Sequence, residues 1–86
     1  MSYVYILRSL KKLTYYIGFT RSPERRLIER NAGINTSTRP YIPWEMIFKQ
    51  NYPDKKKALS VEAKLKKYKS KVILEKIVKD GYIKGD

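Results

Sequence analysis

The chain has 86 residues, enough for one domain with a modest core that buries roughly 60% of the surface its unfolded form exposes. It has no cysteine and no histidine, which excludes disulfides, thiolate zinc sites, cysteine nucleophiles and every serine–histidine triad. Twenty Lys plus Arg stand against eight Asp plus Glu, a net charge of +12 that points to a polyanionic partner: nucleic acid first, an anionic membrane surface second, a merely lysine-rich surface as the plain alternative.

Residues 3–8 (YVYILR) are aromatic, β-branched and apolar without a break, as in a strand buried on both faces. Residues 9–13 (SLKKL) are a short polar turn and residues 14–20 (TYYIGFT) are again β-rich, so the pair reads as a hairpin. The start of the chain lacks the charged and long apolar segments of a signal peptide, and no run approaches the ~20 apolar residues of a membrane span. The expected location is therefore cytoplasmic, with no membrane partner.

Ser22-Pro23-Glu24 predicts a helix start, with the Ser22 side chain as cap, Pro23 at the first helical position and Glu24 at the positive end. The helix is expected to stop near Asn31-Ala32-Gly33, where glycine suits a left-handed cap. Residues 34–43 are a Thr-, Ser- and Pro-rich loop, and Trp44 to Phe48 alternate as a third strand. A second helix is predicted over 54–68, with Ala58, Val61, Leu65 and Tyr68 on one face. Ser70 caps a third, which Asp80-Gly81 ends. The expected fold is α+β: a three-stranded, mainly antiparallel sheet flanked by helices in the order β-β-α-β-α-α, one domain over 1–80 with residues 81–86 as a tail.

With the hairpin turn centred near Leu10-Lys11, Tyr5 opposes Tyr16 and both point to one face, which Gly18 shares. A slip by two residues preserves that face and a slip by one destroys it. Each tyrosine is equally an ordinary strand aromatic. Arg26 and Arg30, four apart, share a helix face that either clamps a phosphate or is simply solvated. Glu62 falls inside or beside the apolar arc of the second helix, where it needs a cation, a metal or an arginine; the simplest partner is Lys66. Arg30, Lys55, Lys56, Lys66 and Lys67 are candidate phosphate contacts, and on the helix Lys55, Lys56, Lys66 and Lys67 are equally a solvated face.

These residues together resemble the GIY-YIG nuclease family, in particular its small standalone branch, and are similar to the N-terminal catalytic domain of the bacterial excision-repair nuclease. Tyr3-Val4-Tyr5 stands where the family has GIY, and Tyr16-Ile17-Gly18 is YIG itself. Ten residues separate Tyr5 from Tyr16, and Arg26 follows Tyr16 by ten, as the family arginine does. Pro43 to Phe48 resembles the third strand, and Lys55 to Lys69 the helix with the metal-binding glutamate, here Glu62. The resemblance implies a metal-dependent endonuclease hydrolysing DNA phosphodiester bonds. Glu62 would hold one Mg²⁺ or Mn²⁺, Arg26 would neutralise charge in the transition state, and Tyr16 would take a proton from the attacking water, with Tyr5 orienting that water or sharing the role. A free tyrosine, with a pKa of about 10, needs neighbouring positive charge for that work. Three departures mark the chain: Tyr3 replaces the first glycine, Arg30 stands where the family usually has His or Tyr, and no asparagine follows the metal-binding helix. A catalytically weak or inactive basic module that binds nucleic acid is the alternative, and a structural or partner-binding domain is a third. The protein is expected to act as a monomer or weak dimer.

Overall fold

The computed structural model describes residues 2–68 and 70–83; Lys69 and the last three residues of the expected tail lie outside them. Strand β1 (Ser2–Ser9) is central in a three-stranded antiparallel sheet, between β2 (Tyr15–Thr20) and β3 (Trp44–Tyr52). Its middle residues Val4, Tyr5, Ile6 and Leu7 are each at most 1% exposed, as their unbroken apolar run predicts for a strand covered on both sides. Helices α1 (Pro23–Asn31), α2 (Lys55–Tyr68) and α3 (Lys71–Asp80) complete the expected α+β order.

The faces of β1 anchor separate apolar clusters. Val4 and Ile6 pack with Phe48, Tyr52 and the α2 residues Ala58, Val61 and Leu65; Leu74 and Ile77 of α3 close the same cluster. Tyr5 and Leu7 pack on the opposite face with Trp44, bordered by Tyr16, Leu27, Tyr41, Ile42 and Met46. A bulge in β3 makes both clusters possible. Ile6 pairs with Phe48 but Leu7 with Met46, so Ile47 is an extra residue, and the side chains on either side of it change face.

The helix ends follow local chemistry with one exception. Asp54 accepts from the Lys56 backbone N–H at 3.0 Å to start α2. Ser70 Oγ accepts from Ile73 N–H at 3.3 Å, and Gly81 takes the left-handed conformation, φ 82°, that ends α3. Gly33, φ 75°, follows the last turn of α1 as its composition suggests. Ser22, however, does not cap α1 with its side chain. The Thr20 hydroxyl takes up the local bonding instead, accepting from Ser22 N–H at 3.1 Å and so holding the turn from the strand side.

The end of α1 is tied to the start of β3 by one side chain. The Asn31 amide donates to the Trp44 carbonyl oxygen at 3.0 Å and accepts from the Trp44 N–H at 2.6 Å, imitating a strand neighbour. The intervening loop, with a 3₁₀ turn at Arg39–Tyr41, is fastened by Trp44 Nε1–H to the Thr38 oxygen at 3.2 Å and Ser9 Oγ–H to the Tyr41 oxygen at 2.6 Å. Trp44 is only 4% exposed, so its backbone groups have little water to turn to. Asn31→Ala is expected to lower stability by about 1–3 kcal/mol, the cost of leaving such groups unpaired. Urea unfolding checks this: the midpoint falls while the slope is unchanged.

Candidate active site

The site is built on the Tyr5 face of the sheet. In the observed register Tyr5 opposes Gly18 and Leu7 opposes Tyr16, two residues away from the direct Tyr5–Tyr16 pairing expected. The turn is centred one residue later than Leu10-Lys11, and the slip of two keeps both tyrosines on one face. Their rings stack at 6.5 Å with an interplanar angle of 27°. Tyr5 lies across Gly18, where a β-carbon would collide with its Cζ and hydroxyl. The glycine is required for that space and not for its backbone angles, which lie outside the positive-φ region.

Arg30 is the surprise of the first helix. A solvated basic face would leave it in water, but it is only 7% exposed. Its Nη2 donates to the Tyr16 hydroxyl oxygen at 2.8 Å, and its guanidinium carbon lies 4.3 Å from the centre of the Tyr16 ring. The same guanidinium is within polar reach of Tyr5. Burial pushes the Tyr5 phenol above the usual tyrosine value; the Arg30 charge pulls it down, Tyr16 pushes it up and Arg26 pulls it down, none enough to offset burial. Pro23, Leu27 and Arg30 fall at the i, i+4, i+7 spacing of an inward stripe, a signal in the sequence that marks Arg30 as turned to the core.

Arg26 is more open. Its side chain is 40% exposed, and it pairs with Glu29 at 3.6 Å. It borders a hollow of about 430 Å³ where the end of β2, the start of α1 and the start of α2 meet, together with Arg21, Arg25, Lys55 and the carboxylate of Glu29. Four cations against one anion give this hollow a net positive lining.

Glu62 approaches from the other side. Its side chain is 19% exposed, and its partner is the simplest one expected, Lys66 at 3.3 Å. The Lys66 ammonium in turn lies 5.9 Å from the centre of the Tyr16 ring. The structure thus joins Tyr5, Tyr16 and Arg30 directly, sets Arg26 close enough to act on Tyr5, and links Glu62 to Tyr16 through Lys66. Lys56 and Lys67 are exposed on α2, outside this group. No cluster of three or more His, Cys, Asp or Glu suited to a metal occurs among the described residues. No helix among the described residues is long and apolar enough to cross a membrane.

Buried Tyr5 and partly buried Tyr16 beside guanidinium groups, with a helix carboxylate linked to them through Lys66, agree with a nuclease-type catalytic domain. The chain belongs to the GIY-YIG family: the GIY-YIG catalytic domain matches residues 1–77. A UPF0213 protein of Streptococcus pneumoniae serotype 4 is 38% identical over 69 residues, which cover 79% of this chain and 69% of that protein. A UPF0213 protein of Streptococcus pyogenes serotype M1 is 34% identical over 71 residues, covering 81% and 76%. The structure-specific endonuclease subunit SLX1 of Debaryomyces hansenii is 40% identical over 67 residues, covering 69% of this chain but 19% of that protein. No solved structure matches the chain at comparable significance.

Gly18 offers a direct test of the packing under Tyr5. Gly18→Ala is expected to cost about 1–3 kcal/mol through overpacking, because the fully buried ring has nowhere to retreat. The same substitution in a Tyr5→Leu background should cost clearly less. A double-mutant cycle by chemical unfolding measures this coupling, and additive losses would show that the two positions do not compete for space.

Proposed function

We propose that the chain is a divalent-metal-dependent endonuclease domain that hydrolyses DNA phosphodiester bonds. The reading is supported above all by the convergence on Tyr16, whose hydroxyl oxygen is held by Arg30 at 2.8 Å while Lys66, the partner of Glu62, lies against its ring. The attacking water gives its proton to the Tyr16 oxygen. The phenolate this requires has the Arg30 guanidinium as its counter-charge. Tyr5, raised by burial, stays protonated near neutrality and serves as a donor that orients the water. Arg26, half-open beside the cationic hollow, neutralises charge building on phosphorus.

Glu62 is the carboxylate that would hold a Mg²⁺ or Mn²⁺, being an oxygen ligand of the kind either ion takes. When bound, that ion supplies Lewis-acid stabilisation of the phosphate and the leaving oxygen. Lys66 must first give up the carboxylate. Since the lysine is half exposed, its pairing is worth at most about 1 kcal/mol. Lys66→Gln should therefore lower the metal concentration for half-maximal cleavage by no more than about fivefold, measured by titrating Mn²⁺ at fixed DNA.

The decisive experiment incubates the purified protein with supercoiled, linear and branched DNA, with and without Mg²⁺ or Mn²⁺. Metal-dependent nicking is expected, with Glu62→Ala and Tyr16→Phe each reducing it about 10²-fold or more while DNA binding persists. Equal cleavage by Glu62→Ala would reject the assignment. A second reading, a basic module that binds without cutting, draws support from the Glu62 carboxylate already having Lys66 as its counter-ion. Salt-sensitive binding without cleavage would favour it.

A further inference from the structure

Arg30 has an energetic cost that packing alone does not explain. It is a buried cation, and its Nε has no hydrogen-bond partner. An orphaned buried donor is destabilising, and an apolar side chain of similar length at such a place is often neutral or stabilising. What the arginine provides is aimed at the tyrosines: one hydrogen bond to Tyr16, a stacking contact with its ring, and a charge beside Tyr5. A guanidinium keeps its charge at every accessible pH, which an imidazole does not.

We propose that Arg30 is a positioning residue for the tyrosine pair: it orients the Tyr16 hydroxyl and places a permanent, pH-independent positive charge behind both phenols. The inference rests on the nuclease reading for its catalytic consequence but not for its electrostatic one. Arg30 is surrounded by ionisable groups from every side. Tyr5 comes from β1 and Tyr16 from β2. Arg26 and Glu29 of α1 share with it a hollow of about 130 Å³. Lys66 of α2 reaches the other side of this group through the Tyr16 ring and brings Glu62 with it. From β3, Lys49 stands opposite Tyr5 in the sheet and is paired with Glu24 at 2.9 Å. Since the chain has no histidine, no imidazole titrates in this surrounding.

The test uses Arg30→Met, Arg30→Lys and Arg30→His in the full chain. Arg30→Met should lower kcat about 10- to 100-fold with KM within about threefold, as for a lost preorganised donor acting on chemistry and not on binding. Arg30→Lys should restore part of kcat. The ratio of Arg30→His activity to that of the natural protein should fall as pH rises through about 6.5, where the new imidazole loses its charge. A flat ratio, or a loss confined to KM, would overturn the proposal; the second result would make Arg30 a phosphate-binding group. A readout independent of cleavage is the Cζ resonance of Tyr5 in ¹³C-tyrosine-labelled protein. Without the Arg30 charge its ionisation should move to higher pH in Arg30→Met and stay near the natural position in Arg30→Lys; no movement in Arg30→Met would overturn the proposal. If the natural protein does not cut DNA at all, the nuclease reading falls, and the resonance alone decides the role of Arg30.

Discussion

The space above Gly18 is filled by the ring of Tyr5, and much of the site follows from that occupation. β1 is covered on both faces, so the large side chain at its centre is confined between the sheet and what packs on it. Its ring must lie flat along the neighbouring strand, and only a residue without a β-carbon leaves room. Once the ring is there, the next inward position of β2 holds Tyr16 against it. Trp44 meets Tyr16 edge-on at 6.3 Å, and Tyr41 lies 5.9 Å from Trp44, so an aromatic row extends from the strand pair to the loop before β3. The loop is pinned in turn by the Asn31 amide and by Ser9. Side chains packed this closely can hold a hydroxyl in one direction without help from a ligand.

Charge is distributed over this scaffold in grades of exposure. Arg30 is sealed in, so its field on the phenols is little screened. Arg26 is intermediate, attached to Glu29 yet bordering open space. Arg25 pairs with the same Glu29 at 3.3 Å but is 81% exposed, where an ion pair contributes little to stability. Basic residues that are alike in composition thus differ in setting: the inner one is held against Tyr16, the middle one borders the cationic hollow, and the outer one lies in solvent.

The amino-acid pattern made the architecture readable because its strongest signals are local. An unbroken β-rich run, a hairpin-length turn and helix ends at Ser70 and Gly81 each depend on a few neighbouring residues. The faces of the hairpin were readable for a different reason: a shift of two residues leaves side-chain parity intact, so Tyr5 and Tyr16 stayed together although their predicted pairing was wrong. Parity was less forgiving in β3. Simple alternation from Trp44 to Phe48 puts Trp44, Met46 and Phe48 on one face, whereas the bulge at Ile47 sends Phe48 to the other. Nothing in that stretch announces the bulge, because Ile is at home in a regular strand. Ser22 failed as a cap for a similar reason: the competing hydroxyl of Thr20 belongs to a strand whose end is set by tertiary pairing. Arg30 sits on the inward Pro23–Leu27 stripe, where helical spacing overrides the general preference of arginine for the surface.

The pairing of Glu62 with Lys66 bears on how such a site can wait for its substrate. A carboxylate with a side chain only 19% exposed is costly to leave bare, and the lysine one helical turn away satisfies it within the same helix. Because that lysine is half exposed, giving up the pair costs little, and the ammonium can turn outward along its flexible stem. In the proposed function a divalent cation would take up the carboxylate, with a phosphodiester beside it. In the proposed reading, the same phosphodiester offers the released lysine a new partner. Lys66 would then have two alternatives, Glu62 or phosphate, and its exchange between them would join cation binding to substrate binding.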